Sequence, residues 1–519
     1  MKIRKNKKSI SNFIRRKNPA KHFLIFFIWL FGLFLRIYRQ DQLLGFHYDQ
    51  GRDATIANEI ITGKNFPAIG PTTGIEGLYL GPFWFYLITP GYLLGKGNPA
   101  IASYFIIFLE SLSIPLFYFL LKKYWTNSSA ILTSFLWASS HYIIRSSRWF
   151  SNPSSIPTFS LLIIFLLSQI FINKKKRYWP ILALFLGLSL QLEAASAIFF
   201  IPTILFLLLI NHRQNTNKRQ PIINLKQFLQ SVFAFLFLLL PQLVFEIKNK
   251  FLITKNFLAF LSGKTNTNTG KSWAMPTFSF IKQRLLDYYA IFFTKLDTNL
   301  TKTSIVFLII FSIGTFYLIK KHRKNTFIQI ILAWLFIPLF CLLFFVGNFG
   351  QLYDYYLTGF FPAFFIIFSI IISLPKLKFS KLLFVTFTLS LFFLANFTHL
   401  KNYLIAGTNG PRHISLGNQK QTIEYLCEQT KNQEYNIDIY VPPVIPHSYN
   451  YLLYWYQKSK NCQAPKEKLV PLLYTIYEVD LPHPERLEAW LKRQEGIGKT
   501  IEETSFGGIT IQKRTRIND

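Results

Sequence analysis

Phe46-His-Tyr-Asp-Gln-Gly-Arg-Asp53 follows directly on the first apolar segment of the chain. An acidic turn is out of keeping with its surroundings, because the 519 residues hold 24 Asp and Glu against 57 Lys and Arg, a net charge of +33. The residues after it, 54–62, place Ile56, Ile60 and Ile61 on one side of a short helix that Gly63 can end. Asp49 and Asp53 are one helical turn apart and share a face, with Arg52 three residues from Asp49. Two readings fit this turn. Asp49 is either the N-cap of the helix, with Arg52 paired to a neighbour, or a reactive carboxylate in a cleft.

Hydrophobic residues make up 51% of the chain, and windows of about 20 apolar residues, each long enough to span a bilayer, recur along it. They predict an α-helical polytopic membrane protein with about eleven transmembrane helices. The windows are 23–38, 99–121, 130–144, 155–172, 180–190, 195–210, 228–245, 303–319, 327–346, 357–374 and 382–397. Residues 1–22 form a basic N-terminus with no small-residue cleavage site after the apolar run, so the first span is read as uncleaved. Residues 23–400 make the transmembrane domain, with outer loops at 39–98 and 246–302, and 401–519 a separate polar domain.

The positive charge excludes nucleic acid as the natural partner, because it sits in short loops between apolar segments. With the N-terminus in the cytoplasm, Lys122-Lys123, 174–177, 212–226, 320–324 and 376–381 all fall on the cytoplasmic side. The Asp49 turn, Glu193, both long polar loops, Tyr353–Tyr356 and 401–519 then fall outside, which predicts a multi-pass protein of the plasma or inner membrane. The last domain reads as small α/β: strands at 436–441, 472–479 and 508–512, helices at 448–458 and 484–494. Its Cys427 and Cys462 suit a disulfide or two free thiols equally. Cys341 lies in an apolar window, and three cysteines give no metal framework.

Other polar residues gather at the same face. Arg145 and Arg148 lie where the positive-inside rule least expects arginine. A guanidinium there suits a lipid phosphate, held by two parallel hydrogen bonds, or snorkels to ordinary headgroups. Asn152 precedes the fourth window. Glu193 interrupts an apolar hairpin, as a site residue or as a turn marker. Tyr353, Asp354 and Tyr355 open the tenth window, Asp354 with a possible cap role. Gly81-Pro-Phe-Trp-Phe-Tyr86 is an aromatic run suited to the membrane interface or to stacking on a sugar. Asp49 and Asp53 could hold a divalent cation, though two carboxylates alone are a thin ligand set.

The layout resembles the GT-C superfamily of polytopic glycosyltransferases, nearest to the protein O-mannosyltransferase and lipid A aminoarabinose-transferase branch. The resemblance rests on Tyr48-Asp49-Gln50, Gly81–Tyr86, Arg148–Pro153 and Tyr353–Tyr356 and covers roughly residues 20–400. That family commonly shows an Asp-Glu pair in the first outer loop. Here Gln50 replaces the second acid, and Asp49 is the residue carried over. The resemblance implies a polyprenyl-phosphate-linked sugar as donor, an acceptor hydroxyl on lipid, protein or cell-wall polymer, and inversion at the anomeric carbon. Asp49 is then the general base, with Arg52, Asp53, Arg145, Arg148, Asn152, Glu193, Tyr353, Asp354 and Tyr355 binding donor or acceptor. The competing class is a transporter or flippase of a lipid-linked saccharide, which would place its polar residues at the bilayer midplane. An outward-facing sensor is a third, and leaves Asp49 and the arginines unexplained.

Overall fold

The computed structural model describes residues 19–75, 77–214, 222–262, 274–347, 350–375, 377–442 and 445–517. Residues 1–18 of the basic N-terminus and 215–221 of the 212–226 loop lie outside the described residues. Among those described, seven helices are long and apolar enough to cross a membrane: Pro99–Tyr124, Asn152–Phe171, Ala194–Arg213, Leu225–Lys248, Lys302–His322, Asp354–Ile372 and Lys378–Ile405. His22–Ile37, Phe83–Leu94 and Thr326–Leu342 are shorter apolar helices. Two of these spans, Asp354–Ile372 and Leu225–Lys248, are comparably apolar and have opposite surroundings. Every residue of Phe361–Ile372 is buried, whereas Leu225–Lys248 turns Phe233, Leu236 and Phe237 outward, as lipid-facing helices do.

Several predicted windows are broken at their outer ends. The window 130–144 stops at Ser139, because Ser140 adopts extended backbone and starts a new helix, His141–Arg148. The Ser140 hydroxyl caps the N–H of Ile143 and donates to the carbonyl of Lys295 at 2.6 Å. Arg145 and Arg148 therefore ride on a short separate helix. The next span opens with a 3-10 turn, Asn152–Ser155, and the tenth with another, Asp354–Phe360. The first outer loop carries two helices that matter below, Tyr48–Ile61 and Phe83–Leu94.

The C-terminal domain is a four-stranded sheet, β1 (Asn436–Tyr440), β2 (Leu472–Glu478), β3 (Gly498–Phe506) and β4 (Ile509–Arg516), in the order β1-β2-β4-β3. β1 and β2 are parallel; β2–β4 and β3–β4 are antiparallel. β3, absent from the expected elements, is an exposed edge strand rich in charged and polar residues, Lys499-Thr-Ile-Glu-Glu-Thr504, a composition that guards an edge against pairing with other chains. Cys427 and Cys462 form a disulfide, with Cα atoms 5.2 Å apart, which ties helix Leu416–Gln429 to the end of helix His447–Lys460.

The charge pattern predicts the orientation. In a Cys341→Ser background, a cysteine at the exposed Glu488 position should react with an impermeant maleimide added outside intact cells, and one at the exposed Lys175 position should not. Labelling of position 175 from outside would overturn the topology.

Candidate active site

Helix Tyr48–Ile61 begins without help from Asp49. His47 is its N-cap, and the Gln50 side chain accepts from the His47 backbone N–H at 3.1 Å, completing a capping box. The Gln50 amide also donates to the Phe150 carbonyl at 3.1 Å. A glutamate could make the first bond but not the second, which accounts for an amide at this position. The N-cap reading of Asp49 is thereby removed: Asp49 sits in the first turn with its side chain 61% exposed.

Arg52 bridges the two acids. Its Nη1 lies 3.0 Å from Asp49 Oδ1, and its Nε and Nη2 donate to Asp53 Oδ1 at 3.0 and 2.7 Å. Asp53 is buried, and its other oxygen accepts from the indole of the fully buried Trp84 at 2.7 Å. Burial pushes the Asp53 carboxyl up to about 6, against the pull of Arg52 and the Trp84 bond. The carboxylates thus divide the work: Asp53 anchors the guanidinium and Asp49 faces outward. The guanidinium occupies the space between them where a shared cation would sit, and among the described residues no three His, Cys, Asp or Glu converge.

A second cluster centres on Asp354. Tyr142 donates to its Oδ2 at 2.5 Å and Lys295 to its Oδ1 at 2.9 Å. Lys295 is wholly buried, its ammonium 3.4 Å from the Tyr142 ring centroid and 4.6 Å from that of Phe361. Burial draws its pKa down to about 8, opposed by Asp354. Tyr353, half-exposed, stacks on Tyr355 at 5.6 Å, and Arg145 projects into solvent one helical turn from Tyr142. Beside this layer Asn152 donates to the Leu192 carbonyl at 2.6 Å and to Glu193 at 3.4 Å. Glu193 is buried, caps the next helix through the Ala195 N–H and is pushed up to about 7 by that burial.

The segment 145–152 joins the two regions, since Phe150 packs on Trp84 at 5.7 Å and accepts from Gln50. Arg148 stands apart from the residues grouped with it in the sequence. It is buried, its Nη1 donates to the carbonyls of Leu35, Arg36 and Tyr38, and its Nε donates to the Tyr403 hydroxyl. These bonds close the C-terminal end of the first helix, whereas Arg145 is exposed. Lys295 and Tyr142 were not anticipated: one lysine in a basic loop and one tyrosine in an aromatic-rich chain carry no local signal.

The C-terminal domain docks onto the Asp49 turn itself. A Cβ on Gly51 would lie 2.3 Å from the Ser448 backbone nitrogen, so the two backbones touch. The Tyr48 and His447 rings meet edge to face at 4.7 Å, and Gln419 donates to the Phe46 carbonyl at 2.9 Å.

A family model described as dolichyl-phosphate-mannose-protein mannosyltransferase matches residues 80–245. Among curated proteins none matches the sequence. Solved structures share the architecture over nearly the whole chain. ArnT from Cupriavidus metallidurans bound to undecaprenyl phosphate superposes with a TM-score of 0.57 at 9% identity, covering 95% of this chain and 97% of that one. Its apo state gives 0.57 at 8% identity, over 97% and 98%. The chain has the GT-C fold. A more distant likeness, TM-score 0.50 at 12% identity, is to the Archaeoglobus fulgidus oligosaccharyltransferase in complex with Zn and sulfate, over 92% of this chain and 71% of that one. At such identities the likeness is one of fold, and that fold accounts for both the helical membrane domain and the C-terminal sheet.

The Asp53 geometry generates a pH prediction. Its folded pKa, about 6, lies above the ordinary 3.8. Between these values the folded state binds more protons than the unfolded one, so stability falls as pH rises through that window and is level above it. The difference in melting temperature between the wild type and Asp53→Asn should therefore decline from about pH 4 to about pH 6.5 and then stay flat. A difference that grows over that range would mean that Arg52 outweighs burial.

Proposed function

We propose that the chain is a membrane glycosyltransferase that moves a sugar from a polyprenyl-phosphate donor to an acceptor hydroxyl at the outer face of the membrane, with inversion. The observation that carries this reading is Asp49: an exposed carboxylate, free of capping duty, held by Arg52 on a helix at the membrane surface within the GT-C fold. The relatives support a lipid-phosphate donor, as ArnT is seen bound to undecaprenyl phosphate. The acceptor is a hydroxyl on lipid, protein or cell-wall polymer. Arg52 supplies positive charge between the two acids.

In the reaction Asp49 takes the proton of the acceptor hydroxyl while its oxygen attacks the anomeric carbon from the face opposite the leaving group. The bond between that carbon and the phosphate oxygen breaks, its electron pair stays on the phosphate, and polyprenyl phosphate departs. Arg145, exposed one helical turn from Tyr142, meets that phosphate with charge-assisted hydrogen bonds. Tyr353 offers an aromatic face and Asp354, clamped by Lys295 and Tyr142, a hydrogen-bond acceptor to the sugar hydroxyls. Asn152 and Glu193 shape the adjoining wall. The outer face, the N-terminus inside and residues 401–519 outside are part of this proposal, supported by the charge of the loops.

Purified protein in liposomes, given a panel of undecaprenyl-phosphate hexoses and pentoses, tests the assignment. Asp49→Asn should fold normally, because His47 caps the helix, keep the donor KM, and lose turnover by about 10²–10⁴-fold. Near-normal turnover by a folded Asp49→Asn protein would remove Asp49 as base. Arg145→Ala should raise the donor KM by about 10-fold or more, the value of one or two charge-assisted hydrogen bonds, with partial recovery by Arg145→Lys. An unchanged donor saturation curve would leave Arg145 an interface anchor.

A further inference from the structure

Below the Asn152 turn the structure buries a polar cluster that the proposed reaction does not use. Glu110, in the last turn of helix Pro99–Ser111, is buried inside the protein. Its Oε1 accepts from the Ser154 hydroxyl at 2.7 Å and the Ser155 hydroxyl at 3.1 Å. Its Oε2 has no hydrogen-bond partner among the described residues. Glu110 lines a cavity of about 20 Å³ whose polar side is formed with Arg36, Ser113 and Ser154 and whose other side is apolar, with Trp137 and Phe361.

Arg36 lines the same cavity, but it makes no hydrogen bond to that oxygen. Its Nη1 donates to the carbonyls of Gly32 and Ala138 and its Nη2 to that of Trp137, at 2.8–3.0 Å. A buried carboxylate oxygen left without a hydrogen bond loses its hydration with nothing in return. A polar cavity needs roughly 10–15 Å³ and two to four polar partners to hold one water, and this one meets both conditions. The neighbouring guanidinium disfavours a metal cation in the same space, and the serine hydroxyls disfavour an apolar guest.

We infer that the cavity is a binding site for a single ordered water, hydrogen-bonded to Glu110 Oε2, and that Glu110 is a positioning residue for Asn152. The connection is short. Ser154 and Ser155 belong to the 3-10 turn Asn152–Ser155, whose first residue clamps the Leu192 carbonyl and Glu193. The carboxylate fixes the far end of the turn, the water satisfies the carboxylate, and the Asn152 amide is held in one orientation at the outer surface. The sequence carried one sign of this, an acidic residue inside an apolar window, which inside a membrane marks a polar site by default.

The water does not depend on the proposed reaction; the catalytic consequence does. Two readouts separate them. A density map of the purified wild type at a resolution that orders solvent should show one water within hydrogen-bond distance of Glu110 Oε2, and an empty or lipid-filled cavity would overturn the site. In the liposome assay with undecaprenyl-phosphate hexose, Glu110→Leu should lose about tenfold in turnover, and its map should show Asn152 turned away from Glu193. Glu110→Gln, which keeps an acceptor for the serines and a group for the water, should recover most of the loss. Wild-type turnover by Glu110→Leu, or an equal loss in Glu110→Gln, would overturn the positioning role. If Glu110→Leu does not accumulate, Ser155→Ala takes its place with an expected loss of about 2–10-fold, the value of one hydrogen bond, and no loss would overturn the role. Wild-type protein inert toward every donor would count against the enzyme assignment alone; the water and the Asn152 contact would still be decided by the maps.

Discussion

Two buried guanidinium groups fasten the outer end of the first membrane helix to its neighbours. A helix that stops inside or against an apolar layer leaves its last carbonyls without partners, and no water is at hand to take them. Arg36 meets this constraint across the bundle, joining the Gly32 carbonyl to those of Trp137 and Ala138. Arg148 meets it from above, closing on Leu35, Arg36 and Tyr38 while holding the Tyr403 hydroxyl of the Lys378–Ile405 helix. Gln40 then donates to the Arg148 carbonyl and to Ser103. The first outer loop leaves this joint in a fixed direction, and the Asp49 turn lies a few residues beyond it.

At that turn one constraint is split between two residues of the same type. A guanidinium shared by two carboxylates beside an apolar layer needs one of them as a fixed anchor. Asp53 supplies the anchor, with Trp84 on its second oxygen, and Asp49 is left with one guanidinium contact and an open side. The C-terminal domain adds a wall. Only a residue without a side chain lets the His447–Ser448 backbone come so close, so Gly51 sets how near that domain stands to Asp49.

The sequence made the acidic turn readable because three charged residues of mixed sign are conspicuous in a basic, apolar chain. It could not show which residue caps the helix. Histidine is not a favoured N-cap, and the capping box depends on Gln50, whose second bond goes to a residue 100 positions away. Arg145 and Arg148 look alike in sequence and differ completely in place, since only the packing of the first helix decides which guanidinium meets open carbonyls. Lys295 gave no sign at all; its role exists only because Ser140 brings the His141–Arg148 helix back against the Lys295 carbonyl. The windows of membrane length were readable as a set, but their outer ends were not, because hydropathy does not register where a helix unwinds.

Those unwound ends are where the candidate site residues stand. Non-helical backbone near the membrane survives only when protein groups satisfy it. Ser140 donates to Lys295, and Asn396 accepts from the His141 N–H. At Gly359 the N–H donates to Ser196, while the carbonyl accepts from Ser160 and from the Trp334 indole. Each break therefore requires polar side chains at one level of the fold, and once they are there they stiffen the backbone on which Asp354, Arg145, Asn152 and Glu193 stand. A membrane enzyme that must hold a charged headgroup above an apolar slab has reason to stop its helices at that level. The stops create the demand for polar partners, and the partners make a rigid polar floor beside which Asp49 faces out.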